Sequence, residues 1–129
     1  MIPFPDKKYQ IIYADPPWDL GTGGADKWGS MKNGQSRLKY PTMTINEIRE
    51  LPVNVLAEDN AHLYLWTINK YIPETYEIAK AWGFRPSCLL TYCKPRHGIG
   101  LGGTFIQTTE HLLFCRRGTL SAQKQIDTT

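Results

Sequence analysis

The segment YQIIYADPPWDL, residues 9–20, constrains the architecture of this chain more than any other. Its first six residues are rich in β-branched and aromatic side chains, the composition of a strand. Asp15-Pro16-Pro17-Trp18 then stops that strand abruptly, because two successive prolines fix φ and remove two ladder donors. The reading is a buried strand over residues 9–14 that runs into a stiff, solvent-facing corner.

Downstream, residues 18–43 carry the turn chemistry GTGG, GS and NGQS and read as one long loop, and loops of that length in a compact domain usually have a function. Thr44-Ile45-Asn46-Glu47 fits a capping box, so a short helix starts there and breaks near Pro52. AHLYLWTI, residues 61–68, is a second strand whose continuous apolar character predicts burial on both faces, as in a parallel sheet. Ile72, Tyr76, Ala79 and Trp82 recur at helical spacing, and Gly83 is placed to end that helix. SCLLTYCK and TTEHLLFCRRG read as two further strands joined by a glycine-rich loop. The order strand, helix, strand, helix, strand, strand is that of an α/β fold, in which ligands gather at the carboxyl ends of strands. Asp15 lies at such an end.

Composition narrows the class. A chain of 129 residues suits a single domain, with its core over about 9–118 and a polar tail over 119–129. No window approaches the ~20 apolar residues of a membrane span, and MIPFPDKKYQ has no signal core, so a cytoplasmic protein is expected. Cys88, Cys93 and Cys115 stand in apolar runs, as reduced core thiols do; Cys88 and Cys93, five apart on a strand, point to opposite faces and could not share a metal without a bend. The net charge of +3 is mild, but Lys27, Lys32, Arg37 and Lys39 cluster in the long loop, with a second small group at Arg116 and Arg117. A solvated surface and a phosphate-facing surface both fit such clusters.

The corner itself can do chemistry. Asp15 and the Pro16 carbonyl are acceptors on a rigid edge, and Trp18 adds a flat apolar face. Two acceptors and a stacking plane suit a planar base that carries an amino group. The exocyclic amine of adenine is a weak nucleophile because its lone pair is delocalised into the ring. Fixed acceptors for both amine hydrogens favour the pyramidal nitrogen that forms during attack, and so stabilise the transition state more than the ground state. The electrophile must come from a cofactor.

Other motifs carry less. Gly98, Gly100 and Gly103 satisfy G-x-G-x-x-G, but TFIQTTEHLLF after them reads as strand, so a mobile loop near the substrate fits better than a dinucleotide fingerprint. His62, His97 and His111 are too dispersed for a metal site, and His62 is expected to be structural. Trp66 and Trp82 fall on core periodicity and are expected to pack rather than stack on a ligand.

Asp15-Pro16-Pro17-Trp18, Tyr40-Pro41-Thr42-Met43, LYLWTINKYIPETYEIAKAWGF, Lys94 after a strand and Glu110-His111-Leu112-Leu113, in that order, closely resemble the MT-A70-type N(6)-adenine methyltransferases. The resemblance runs from about residue 9 to 118. It implies a permuted, Rossmann-like, mostly parallel sheet, S-adenosylmethionine (SAM) as cofactor, and adenine in DNA or RNA as substrate; compact size and the lack of appended RNA-binding modules favour DNA as the expectation. It implies that Asp15, Pro16, Pro17 and Trp18 form the catalytic tetrad, with Asp15 bordering the SAM methyl group and Lys94 contacting SAM. It places Tyr40 on a loop that frames the target adenosine, beside Trp18 and the basic Lys39 and Arg37. Glu110 and His111 match a recurrent pair.

Family members continue into a further helix and strand with ELFAR-like and Trp-Gly-Asn-like segments that hold the ribose and adenine of SAM, whereas GTLSAQKQIDTT has no such pattern. A C-terminally shortened fold with an open sheet edge is therefore expected, completed by a homodimer or by a partner subunit. A catalytically silent partner that binds nucleic acid or an active subunit is the contrasting expectation.

Overall fold

The computed structural model describes residues 3–20, 41–95 and 104–125. In chain order the elements are β1 (Tyr9–Ala14), α1 (Ile45–Arg49), α2 (Val53–Leu56), β2 (Ala57–Thr67), a 3-10 turn at Asn69–Tyr71, α3 (Ile72–Ala81), β3 (Arg85–Cys93) and β4 (Thr109–Arg117).

Each helix follows from local chemistry. At α1 the Thr44 amide donates to Glu47 Oε1 at 3.0 Å and the Glu47 amide donates to Thr44 Oγ1 at 3.1 Å. This reciprocal pair is the expected capping box, and its hydrogen bonds hold the Glu47 carboxyl below its ordinary pKa. The chain breaks at Leu51-Pro52, and α2 is an extra turn that four residues of Val-Asn-Val-Leu could not announce by periodicity. Gly83, at φ +85°, closes α3: its amide donates to the Lys80 carbonyl and the Phe84 amide to the Ala79 carbonyl. The buried face of α3 is Thr75, Ile78 and Ala79, continued by Trp82, whose Nε1 donates to the Arg49 carbonyl at 3.1 Å.

Among the described residues the strands form one sheet in the order β1-β2-β4-β3. Of its three pairings only β1–β2 is parallel; β2–β4 and β3–β4 are antiparallel, so the expectation of a mostly parallel sheet is corrected. β1, β2 and β3 do run the same way, but β4 returns between β2 and β3 and converts two interfaces to antiparallel. Apolar runs such as LYLWT and HLLFC specify burial and carry no information about strand direction.

The register gives the sheet two unlike faces. Ile12, Leu63, Leu65, Leu113, Cys115 and Leu89 lie on the face covered by α3, where Ile78, Ala79, Trp82 and Phe84 complete the core. At the end of β2, Thr75 Oγ1 is 2.7 Å from both Thr67 Oγ1 and the Tyr71 carbonyl, so the two buried hydroxyls satisfy one another beneath the helix. On the opposite face lie Tyr13, Tyr64, Trp66, Tyr92 and Phe114, and no helix covers it among the described residues. Burial of β1 is thus corrected: Ile11 and Tyr13 are 54% and 68% exposed on the face that no helix covers among the described residues, whereas over 61–67 β2 is buried on the α3 face and half-buried at Tyr64 and Trp66 on the other.

The first residues after β4 are pinned down. His62 is buried with Nε2 2.7 Å from the Leu120 carbonyl, which agrees with a structural role. Arg116 lies over the Phe114 ring, and Arg117 donates to the Asn54 carbonyl at 2.8 Å, so this basic pair is engaged within the chain. Gly118, at φ +69°, lets the backbone pass against Asn60, whose Oδ1 accepts from the Thr119 amide at 2.8 Å. No helix among the described residues is long and apolar enough to cross a membrane.

The three cysteines are free but not alike: Cys115 is buried, Cys88 is half-buried and Cys93 is exposed, so the picture of three core thiols is corrected at Cys93. Burial pushes the Cys115 thiol up to about 12. A thiol reagent at neutral pH should label Cys93 first and Cys115 only after denaturation, in the order read by mass spectrometry of the digested protein. A Cβ at Gly118 would stand 2.4 Å from the Asp59 carbonyl oxygen and 2.2 Å from Asn60 Oδ1. Gly118→Ala should therefore destabilise the chain by about 1 kcal/mol or more in urea unfolding, while the same change in an open turn would not.

Candidate active site

Residues 15–18 form the corner that the sequence demands, with details the sequence could not supply. The Trp18 amide donates back to the Pro16 carbonyl at 2.9 Å, a three-residue turn centred on Pro17. The Pro17 carbonyl accepts from the Met43 amide at 2.9 Å, and Trp18 and Met43 form an isolated parallel bridge. Trp18 is only 5% exposed. Its Nε1 donates to the Trp66 carbonyl at 3.0 Å, and its ring stacks on Tyr71 with centroids 5.4 Å apart and planes 24° apart. The Tyr71 hydroxyl in turn donates to the Asp19 carbonyl. Trp18 is therefore more a pillar of the corner than a free stacking surface.

Beside this corner, at the carboxyl ends of β1 and β2, is a cavity of about 630 Å³. Of the sequence-predicted residues, Asp15, Pro16 and Trp18 line it. Lys94 does not; its ammonium is paired with Glu110 Oε1 at 3.3 Å, and its amide donates to the Thr108 carbonyl at 2.7 Å. Glu110 itself is in the wall, directly across from Tyr92 in the β3–β4 register. His111 turns to the other face, with Nδ1 3.1 Å from Thr91 Oγ1. Tyr40, Lys39 and Arg37 lie outside the described residues, as do Lys27, Lys32, His97 and the glycines Gly98, Gly100 and Gly103.

Sequence reasoning missed Tyr13, Trp66 and Tyr92 in the wall. Trp66 was expected in the core, yet it stands on the helix-free face, donating Nε1 to the Tyr13 hydroxyl and meeting Tyr92 edge-on at 6.5 Å. Strand alternation held a signal: Tyr13 is two residues before Asp15, so the two share a face.

Electrostatically the lining is one-sided. Among the described residues it contains two carboxylates, Asp15 and Glu110, together with hydroxyls, and no Lys, Arg or His. Asp15 keeps solvent contact on its outer side, but partial burial, and secondly the negative charge of Glu110, raise its carboxyl above the ordinary value. Such walls accept hydrogen bonds and favour ligands that are planar, rich in donors, or cationic. No group of three or more His, Cys, Asp or Glu that could hold a metal occurs among the described residues.

Comparison with known proteins now names the class. The MT-A70 family model matches residues 9–129. The chain belongs to the MT-A70 family. It is 33% identical over 128 residues to the Type II methyltransferase M.MunI of Mycoplasma sp, a match that covers 90% of this chain and 54% of that protein. It is 30% identical over 77 residues to the human N(6)-adenosine-methyltransferase catalytic subunit METTL3, covering 60% of this chain and 11% of METTL3. A putative N(6)-adenosine-methyltransferase MT-A70-like protein of Medicago truncatula is 25% identical over 127 residues, covering 94% of this chain and 18% of that one. The chain thus spans about half the length of M.MunI and smaller fractions of the others.

A carboxyl whose pKa rises on folding opposes folding while it is ionised. That cost is complete above the raised value and vanishes below the ordinary one, 3.8. Asp15→Asn should accordingly melt higher than the parent chain at pH 7, with the difference closing as the pH falls toward 3.8. Glu110→Gln should shrink that difference, since it removes the second cause; calorimetric scans across pH read both effects.

Proposed function

We propose that this cavity presents the exocyclic N(6) amine of adenine in nucleic acid for methylation, with SAM as the methyl donor and DNA favoured over RNA. The observation that carries the reading is Asp15, beside the Pro16–Trp18 turn in the wall of a cavity whose charged groups among the described residues are carboxylate acceptors. The walls fit the cofactor by their chemistry, since a sulfonium is cationic and aromatic faces and carboxylates receive cations well. When bound, SAM supplies an electrophilic methyl group.

The chain's own part is to hold the amine. Asp15 accepts one amine hydrogen. The Pro16 carbonyl has two lone pairs, of which the Trp18 amide engages one, and the other accepts the second hydrogen. Pro17 fixes the angle between these acceptors, and Trp18 holds the corner against β2. Acceptors set in advance need no reorganisation as the nitrogen becomes pyramidal. The raised Asp15 carboxyl also suits later receipt of the proton that the product must lose. Lys94, paired with Glu110 beside the cavity, stands where it can meet the carboxylate of the cofactor once that pair opens. Lys39, Arg37 and Tyr40 are proposed to contact the substrate strand. The target base must be single-stranded or flipped to reach such a pocket.

DNA is favoured on the combination of identity and breadth: the likeness to the Type II methyltransferase M.MunI is 33% over 90% of the chain, against 30% over 60% for METTL3 and 25% over 94% for the Medicago truncatula protein. The test is transfer of a labelled methyl group from SAM to adenine-containing DNA and RNA oligonucleotides. Methyl should appear on adenine N(6), preferentially in DNA, and Asp15→Ala should lower the rate by roughly 10²–10³, the usual effect of losing one preorganised hydrogen-bonding group. Transfer that survives Asp15→Ala would overturn the assigned mechanism. Failure of the chain to bind SAM in a calorimetric titration would leave the silent-partner reading in its place.

A further inference from the structure

Three aromatic residues of the cavity wall have no part in holding the amine: Tyr13, Trp66 and Tyr92. They come from three different strands and meet on the helix-free face of the sheet. We propose that Tyr92, buttressed by Trp66 and Tyr13, is the stacking platform for the ring of the nucleobase that enters the cavity, and so determines that the site takes a base and not a phosphate or a simple amine. This rests on the nucleic-acid reading above and specifies how the site selects its substrate.

The geometry is that of a braced aromatic surface. Trp66 Nε1 is satisfied by the Tyr13 hydroxyl, so the indole has no unmet donor and is held in place. Trp66 meets Tyr92 edge to face, with planes 88° apart and centroids at 6.5 Å. That contact orients Tyr92 and, since an edge-to-face pair engages at most one face of either ring, leaves at least one Tyr92 face out of the pair. Tyr92 is 50% exposed although it lines the cavity, an arrangement that costs apolar hydration and supplies a ready surface.

Charge selects what reaches that surface. Glu110 is paired with Lys94 at 3.3 Å, whereas no cation lies beside Asp15 among the described lining residues, so on this side of the cavity a phosphate meets the repulsion of Asp15 and an uncharged ring does not. The register partner of Tyr92 is Glu110, which places an acceptor next to the platform for the edge of a stacked base. Stacking of this kind is tolerant of base identity; the two acceptors at the corner then select bases that carry an exocyclic amine, adenine among them.

The test uses the full chain, fluorescently labelled oligodeoxyadenylate, and an abasic strand of the same length and charge, with affinities from anisotropy. The parent chain should prefer the adenine strand. Tyr92→Leu should weaken adenine-strand binding by about ten-fold or more while leaving abasic-strand binding within about two-fold, as expected for one lost base–aromatic stack. Tyr92→Phe, which keeps the ring, should retain the preference, and Tyr92→Trp serves as the ring-bearing comparison should the leucine variant melt early. A preference retained in Tyr92→Leu, or lost equally in Tyr92→Phe, would overturn the platform while leaving the methyltransferase reading standing. A parent chain with no preference between the strands, together with no methyl transfer to either nucleic acid, would remove both.

Discussion

The hydrogen bond from the Trp18 indole to the Trp66 carbonyl is the contact on which the site depends. Two prolines make the chain stiff after β1, but stiffness alone does not say where the chain points. Trp18 settles the direction by tying the corner to the end of β2, stacking on Tyr71 and bridging to Met43. Burying an indole removes on the order of 200 Å² from water, worth up to about 5 kcal/mol at ~25 cal/mol per Å². An anchor of that size holds Asp15 and the Pro16 carbonyl against the loss of freedom that a fixed turn requires.

From that anchor the two faces of the sheet acquire separate tasks. One face is sealed by α3 and carries the aliphatic core, with Leu63, Leu65 and Leu113 fully buried. The other face gathers aromatic rings and, at one end, two carboxylates, Asp15 and Glu110. Asp15 sits where burial and a like charge both oppose its ionisation, and Cys115 shows what burial alone does to an acid on the sealed face. The first face carries most of the buried core and the second carries the cavity, and β2 serves both by alternating its side chains.

Much of this was legible in the sequence. The strand before Asp15, the capping box at Thr44, the glycine stop at Gly83 and the structural His62 all follow from local rules that act over a few residues. The ordered motifs also identified the family. What the sequence concealed was long-range. The direction of β4, the exposure of β1 and the outward turn of Trp66 depend on which strands become neighbours, and apolar runs do not encode that. The same holds for the Lys94–Glu110 pair, because a hairpin register joins the end of β3 to the start of β4 and nothing local announces it.

The reversed strand has one more consequence, which concerns timing. Asp15 stands just past the end of the first strand and Glu110 near the start of the last, so the two carboxylates meet only after β4 has threaded between β2 and β3. During synthesis the corner at residues 15–18 precedes β4, so it exists without the walled cavity until β4 has been made and paired. Contacts of such high sequence separation form late in folding. Reactive geometry therefore arises together with the finished sheet, and a partly folded chain presents the motif without the pocket.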